Sequence, residues 1–346
     1  MADVQTMPMR TLGATGMQVS VLCLGAMMFG AWGNPDHEDS IKIIHTALDS
    51  GINFVDTADV YSAGESEEIV GKALKGGKRN HVILATKVHG SMGGDPNQEG
   101  NSRRWIMQEV DNSLRRLQTD WIDLYQIHRP DPTVDVDETL GALTDLVRMG
   151  KIRAFGSSTF PASQIVQAQW TAKDRGRERF RCEQPPYSML VRGIETDVLP
   201  TLQQYGMGAI VWSPLAGGWL SGKWRKGQEA PDSSRAKRRP EAFDLSIPGN
   251  KAKLEAADAL VKLAEANGMS LVTMAIAFTL RHPAVTAAII GPRTMEQLTS
   301  QLDAASVVLS DEVLNKIDAI VAPGTNVSAS DAGWENPALQ PAQLRR

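Results

Sequence analysis

A carboxylate, a phenol, an ammonium and an imidazole stand at or just beyond the ends of three short apolar runs in this chain. Phe54-Val55 closes on Asp56, and four residues of loop lead from there to Tyr61. Val82 to Thr86 closes on Lys87, and Ile122 to Ile127 closes on His128. A phenol, with an unperturbed pKa of about 10, is a poor proton donor at neutral pH unless a cation lowers that value. Lys87 offers the cation, and Asp56 can hold it charged and aimed. His128 can then donate a hydrogen bond to a substrate oxygen and stabilise charge that develops there. Each residue alone has a bland explanation: Asp56 a core carboxylate capping a turn, Tyr61 an ordinary tyrosine, Lys87 a structural ion pair, His128 a satisfied core histidine. Together, at successive strand ends, they read as a proton-transfer site.

Such a site requires strands laid side by side and ending on one face. The chain supplies them. After an expected hairpin from Met9 to Ser20, turning at Gly13-Ala14-Thr15-Gly16, short strands are expected at 21–25, 54–56, 82–87, 122–128, 152–156, 181–184, 209–212 and 285–290. Helical periodicity fills the gaps at 37–48, 65–74, 102–117, 136–149, 161–169, 194–205, 251–266 and 270–281, then at 294–304 and 310–320. A long polar loop spans 216–250. Eight strands alternating with helices, and no break in composition, favour a closed (β/α)8 TIM barrel over an open doubly wound sheet, with the hairpin plugging its amino-terminal end. A single unit over 1–321 is expected, followed by an irregular Pro-, Ala- and Asn-rich tail over 322–346. Neighbouring parallel strands lie about 4.8 Å apart, so three successive strand ends fall within roughly 10 Å of one another. They fall on the carboxyl-terminal face, where barrel active sites sit.

The totals narrow the class. At 346 residues there is ample apolar content for a core, and 36 basic against 40 acidic residues carry no bias toward nucleic acid. Cys23 and Cys182 lie far apart in apolar surroundings and read as buried thiols, not a disulfide. The first ten residues lack the apolar stretch of a signal peptide, and no run approaches a membrane span, so a cytoplasmic location is expected. His37, His45, His81, His89 and His282 show no metal-ligand spacing with the cysteines, and no metal is expected.

Three segments carry a specific resemblance. Gly51-Ile52-Asn53-Phe54-Val55-Asp56-Thr57-Ala58-Asp59-Val60-Tyr61, Ala85-Thr86-Lys87-Val88 and Asp123-Leu124-Tyr125-Gln126-Ile127-His128 resemble signature segments of the aldo-keto reductase superfamily. The likeness runs from Arg10-Thr11-Leu12-Gly13 to about Leu302, and is nearest to the bacterial branch that also resembles potassium-channel β-subunits. It implies a catalytic tetrad of Asp56, Tyr61, Lys87 and His128. It also implies an NADPH-dependent oxidoreductase that passes hydride from nicotinamide to a small-molecule carbonyl, with Tyr61 as the acid. NADP(H) is the implied cofactor, and Asp56 belongs to its site as well. Gly156-Ser157-Ser158-Thr159 stands where the family has a Ser-Asn pair for the nicotinamide amide, with Thr159 replacing the Asn. Gln184 matches the amide-binding Gln, and in Trp212-Ser213-Pro214-Leu215 the indole of Trp212 matches the ring under the nicotinamide. The same segment continues to Gly217 and Lys223. Ile290-Gly291-Pro292-Arg293, followed by Gln297, resembles the adenosine 2′-phosphate segment. It lies at a helix start suited to an anion, and Arg293 offers a planar donor fork. Gln301 stands where the family often has Asn.

Other features point elsewhere or nowhere. Gly206-Met207-Gly208-Ala209 precedes a strand instead of following one and is a turn, not a dinucleotide motif. Arg235, Lys237, Arg238 and Arg239 form a basic run in the long loop: a solvated face, or a flap over cofactor phosphates, with nucleic-acid binding a distant third. Trp32, His89, Trp219 and the tail around Trp334 are candidates for the pocket wall. Two rivals to the reductase remain: a cofactor-sensing partner protein of the channel β-subunit type with little turnover, and a barrel hydrolase using paired carboxylates. The second lacks an acid facing Asp56. The substrate and the oligomeric state are not legible.

Overall fold

Residues alternate faces along a strand, so a closed ring of parallel strands turns every second side chain inward. This decides which residues of each apolar run form the barrel interior. The computed structural model describes residues 7–231, 234–339 and 341–345. The first six residues of the stretch read as lacking a leader lie outside it. An antiparallel hairpin, β1 (Met9–Thr11) and β2 (Gln18–Ser20), comes first. Then follow β3 (Leu22–Gly25), β4 (Phe54–Asp56), β5 (Ile83–Val88), β6 (Ile122–Ile127), β7 (Ile152–Ser158), β8 (Cys182–Gln184), β9 (Gly208–Val211) and β10 (Val285–Ile290). These eight pair in parallel, in chain order, and β10 closes onto β3.

The interior is layered. Cys23, Phe54, Ala85, Leu124, Ala154, Cys182, Ile210 and Ala287, one residue from each strand, form an apolar ring against Leu12 and Val19 of the hairpin. The hairpin is therefore the expected plug. Its fit is close at Gly13 (φ +49°), where a Cβ would fall 2.5 Å from the Arg181 carbonyl oxygen. Two residues further along the strands the next ring contains Asp56, Lys87, Gln126 and Gln184. The interior thus changes from apolar to polar within one step of the pleat.

The helices are α1 (His37–Asp49), α2 (Glu65–Ala73), α3 (Arg103–Leu117), α4 (Val136–Arg148), α5 (Ala162–Arg175) and α6 (Val198–Tyr205). They continue with α7 (Ser234–Arg238), α8 (Pro248–Ala266), α9 (Leu271–Arg281), α10 (Met295–Leu302), α11 (Asp311–Ile320) and α12 (Pro341–Leu344). Side-chain caps start several of them: Asp36 accepts from the Glu38 and Asp39 amides, Ser102 from Trp105, and Thr294 from Gln297. Three expectations need correction. The helix expected over 194–205 begins only at Val198, after a separate turn at Gly193–Glu195. Helix α5 continues past Gln169 to Arg175, because its polar last turn faces solvent and Gly176 closes it in the left-handed region. The 216–250 stretch is not only loop, since it holds α7 and the start of α8 at Pro248, a residue preset for the first helical position.

The tail returns to the barrel mouth. The Val327 amide donates to the Leu190 carbonyl at 3.0 Å, and the Arg192 amide to Thr325 at 2.9 Å. Lys253 holds Asp331 at 3.0 Å. No single helix among the described residues is long and apolar enough to cross a membrane.

Candidate active site

The polar ring converges on one carboxylate. Asp56 Oδ2 accepts from Lys87 Nζ at 2.6 Å, and its Oδ1 accepts from Gln184 Nε2 at 2.8 Å and Gln126 Nε2 at 3.2 Å. Lys87 also donates to the Thr57 carbonyl at 2.8 Å and lies 3.3 Å from the Tyr61 hydroxyl. The His128 ring meets the Tyr61 ring edge-on, centroids 5.7 Å apart. The four residues singled out at strand ends thus form one contiguous group. Gln126 was missed by the sequence reading, although its signal was available: it lies two residues after the core residue Leu124 and so must face inward.

Electrostatics refine the chemistry. Lys87 is fully buried, which by itself lowers its pKa, yet Asp56 and Tyr61 together raise it above the ordinary value and the ammonium is kept. For Tyr61 the expectation of a lowered pKa is overturned. Burial pushes the phenol up, Lys87 pulls it down, and the Asp56 charge behind Lys87 offsets part of that pull, so the net direction is upward. Tyr61 is held as a neutral phenol with its proton in place. His128 goes well below its ordinary value, first through burial and then through the charges of Lys87 and Arg129. It is a neutral imidazole with one N–H to donate.

Above this group the mouth is walled by loops. Trp32, in the loop after β3, lies 6.0 Å from the Tyr61 ring, and its amide donates to Ser62 Oγ at 3.1 Å. Trp212 faces in from the end of β9. The tail meets it at Gly333 (φ +84°), where a Cβ would fall 2.7 Å from Trp212 Cζ2 and 3.1 Å from Thr159 Cγ2. Trp334 is therefore at the mouth. His89 is tied to Asn101 at 2.9 Å. Trp219 is not a free wall: it stacks with Trp224 and Phe243, centroids 4.6 and 5.1 Å away, and this cluster anchors the long loop. Of the six non-glycine residues with left-handed backbone among the described residues, Ser62, Ala63, Thr159, Ser213 and Ala216 belong to these mouth loops. Strained backbone of that kind gathers at functional sites.

The residues matched to a cofactor lie along the same mouth. Ser158 Oγ donates to the Gln184 backbone carbonyl at 2.8 Å. Ser213 Oγ accepts from the Gly217 amide at 2.8 Å, Pro214 is buried, and Leu215 is half-buried. Lys223 is exposed in the loop beyond, and Gly291 is exposed after β10. The Arg293 amide donates to Gln297 Oε1 at 2.8 Å, and Gln301 Nε2 to the Gln297 carbonyl at 2.8 Å. The Arg293 carbonyl accepts from Asn34 at 3.2 Å, which ties this turn to the Trp32 loop.

The basic run is largely a solvated face, with Lys237, Arg238 and Arg239 exposed, while Arg235 is half-buried. Arg238 donates to the Trp32 carbonyl at 3.0 Å, and Arg235 lies against Gly217, its Nη1 3.6 Å from where a Cβ would stand. Burial lowers the Arg235 pKa, with Arg238 and Arg239 adding to the effect. Among the described residues neither Arg235 nor Arg293 has a carboxylate partner. Two guanidinium groups without a carboxylate partner among the described residues, Arg293 being close to a helix start, suit the phosphates of a dinucleotide. Arg235 could not be placed from sequence, because only the folded-back loop brings it to Gly217.

A closed eight-stranded parallel barrel, plugged at one end and carrying Asp, Lys, Tyr and His at its carboxyl-terminal mouth, defines a class of barrel oxidoreductases. Residues 21–322 match the model of the aldo/keto reductase family. The chain is 40% identical over 332 residues, 93% of its length and 98% of the relative's, to the "Uncharacterized oxidoreductase YrpG" of Bacillus subtilis. It is 36% identical to the "Putative voltage-gated potassium channel subunit beta" of Schizosaccharomyces pombe, covering 92% of this chain and 94% of that one. It is also 36% identical to the "Aldo-keto reductase YhdN" of Bacillus subtilis, covering 90% and 92%. The chain belongs to the aldo/keto reductase family, and that membership makes it an oxidoreductase.

Proposed function

We propose that this protein reduces aldehydes and ketones to alcohols with NADPH, and that Tyr61 is the general acid. The observation that carries the reading is a neutral phenol 3.3 Å from an ammonium that Asp56 holds in place. A reduced nicotinamide, when bound, would supply the hydride that the carbonyl carbon needs. His128, uncharged, donates its N–H to the carbonyl oxygen and orients it without adding a positive charge to the pocket. Tyr61 gives its proton to that oxygen as negative charge grows there, and Lys87 stabilises the phenolate left behind. Asp56 keeps Lys87 charged, while Gln126 and Gln184 fix Asp56. Ser158, Gln184 and Trp212 would seat the nicotinamide. Ser213, Pro214, Leu215, Gly217 and Lys223 would line the diphosphate, and Gly291, Arg293, Gln297 and Gln301 the adenosine end. Arg293 is assigned to the 2′-phosphate, which is the basis for preferring NADPH.

The test is NADPH oxidation with 4-nitrobenzaldehyde, comparing wild type with Tyr61→Phe. Turnover should fall by about 10²–10⁴-fold, the worth of a positioned acid, while NADPH binding persists. Full activity in Tyr61→Phe would remove Tyr61 from the acid role. Tight NADPH binding without turnover of several carbonyls would favour a cofactor-sensing partner protein of the channel β-subunit type, the kind of subunit that the fission yeast relative is named as.

A further inference from the structure

Arg129 follows His128 immediately and lies just past the end of β6. Two strands, β7 and β8, separate β6 from β9 around the barrel. Nevertheless the Arg129 guanidinium carbon stands 5.9 Å from the centroid of the Trp212 ring at the end of β9. The side chain therefore reaches over the barrel mouth instead of out into solvent. It is half-buried there, and it acts electrostatically on both Tyr61 and His128.

Its hydrogen bonding is incomplete. Nη1 donates to the carbonyl of His128 at 2.6 Å, and no other bond from its five N–H groups is made to a described residue. Other sheltered arginines lean on carboxylates: Arg79 on Asp123 at 2.7 Å, Arg116 on Glu67 at 2.6 Å, Arg192 on Glu195 at 2.9 Å. Glu183 is near enough to Arg129 to influence it, but its oxygens accept from Ser157 Oγ and from the Phe160 amide at 3.0 Å. A desolvated cation without a counterion is unfavourable unless something external completes it. The planar donor fork suits a carboxylate. Trp212 adds a flat wall beside it.

We propose that Arg129 is the anion-recognising residue of the substrate pocket, so that the preferred substrates are carbonyl compounds carrying a carboxylate beyond the reacting carbon. Tyr61 and His128 meet the carbonyl oxygen while Arg129 grips the carboxylate. This rests on the carbonyl-reductase reading above and adds its substrate class.

Two matched aldehydes test it: 4-carboxybenzaldehyde, anionic, and 4-nitrobenzaldehyde, neutral. Wild type should prefer the anion in kcat/KM. Arg129→Gln should lower the carboxy-to-nitro ratio by on the order of 10- to 100-fold, the worth of hydrogen bonds to a charged group. Most of that loss should appear in KM, and Arg129→Lys should recover part of it. An unchanged ratio overturns the proposal, as does an equal fall for both aldehydes, which would mean that Arg129 acts through Tyr61 or the cofactor. Calorimetric binding of benzoate to the NADP⁺-loaded protein separates this from the parent reading. If no aldehyde turns over but benzoate binding is lost in Arg129→Gln and kept in Arg129→Lys, the reductase reading fails and the anion site stands. Benzoate binding indifferent to Arg129 overturns the anion site.

Discussion

Replacing Lys87 with Met would leave the Asp56 carboxylate in the barrel without its counterion. At 2.6 Å the pair attracts by roughly 6 kcal/mol if the effective dielectric constant is about 20. Desolvation, several kcal/mol for each ion, offsets most of that gain, so the intact pair adds little net stability. Removing one partner is different, because the other stays buried and charged. Lys87→Met should therefore cost about 3–5 kcal/mol of unfolding free energy, as should Asp56→Asn, which leaves the ammonium unpaired. The retained amides of Gln126 and Gln184 on Asp56 place Lys87→Met toward the lower end. The double variant has no charge to strand. Its cost should fall short of the sum of the singles by about 3 kcal/mol, at the upper end of coupling between residues in contact. Urea unfolding at pH 7, followed by tryptophan fluorescence, measures the cycle. Additive costs would refute the argument, as would a Lys87→Met variant as stable as wild type. The double variant should stay inactive in carbonyl reduction even where its stability recovers, since no ammonium remains beside Tyr61.

Arg293→Ala should weaken NADPH binding by on the order of 10- to 100-fold, the worth of charge-assisted hydrogen bonds, and leave NADH nearly unchanged in a fluorescence titration. Equal losses for both cofactors would end the 2′-phosphate assignment. Burial pushes the Glu183 carboxyl up to about 7, against the pull of Ser157 and the Phe160 amide. An unfolded chain loses that proton near pH 4.5, so between about 4.5 and 7 the folded state binds more protons and stability falls as pH rises, by about 3 kcal/mol across the window. Glu183→Gln should flatten that fall in urea midpoints taken from pH 4.5 to 7.5, and an unchanged slope would show that Glu183 is not the group titrating.

The fold was legible because most barrel strands announce themselves as short apolar runs, several of which stop on a charged, polar or glycine residue, although Arg181–Gln184 does not read as apolar. Asp56, Lys87, His128, Gln184 and Trp212 could be placed from that pattern, since parallel strands in chain order fix which ends are neighbours. Gln126 was equally accessible through the two-residue period and was overlooked because it lies inside its run. What the pattern could not give was the net effect on Tyr61. Lys87 was correctly found beside it, but the sequence carries no measure of burial, and burial with the Asp56 charge outweighs the ammonium.

The residues that stayed illegible share a different physics. Arg235, Arg238 and Gly333 reach the mouth because a long loop and a tail double back on the barrel, and the contacts that hold them there are distant in sequence: Arg238 on Trp32, Lys253 on Asp331, the Trp219-Trp224-Phe243 stack. Hydrophobic periodicity has nothing to say about such returns. Arg129 lies between the two cases. Its strand end locates the backbone, but the choice between solvent and pocket is made by the side chain, and the indole at β9 is what marks the pocket as its side. A site of this kind is thus written in two ways: its proton-transfer centre in the strand register, its selectivity in what the loops bring back over it.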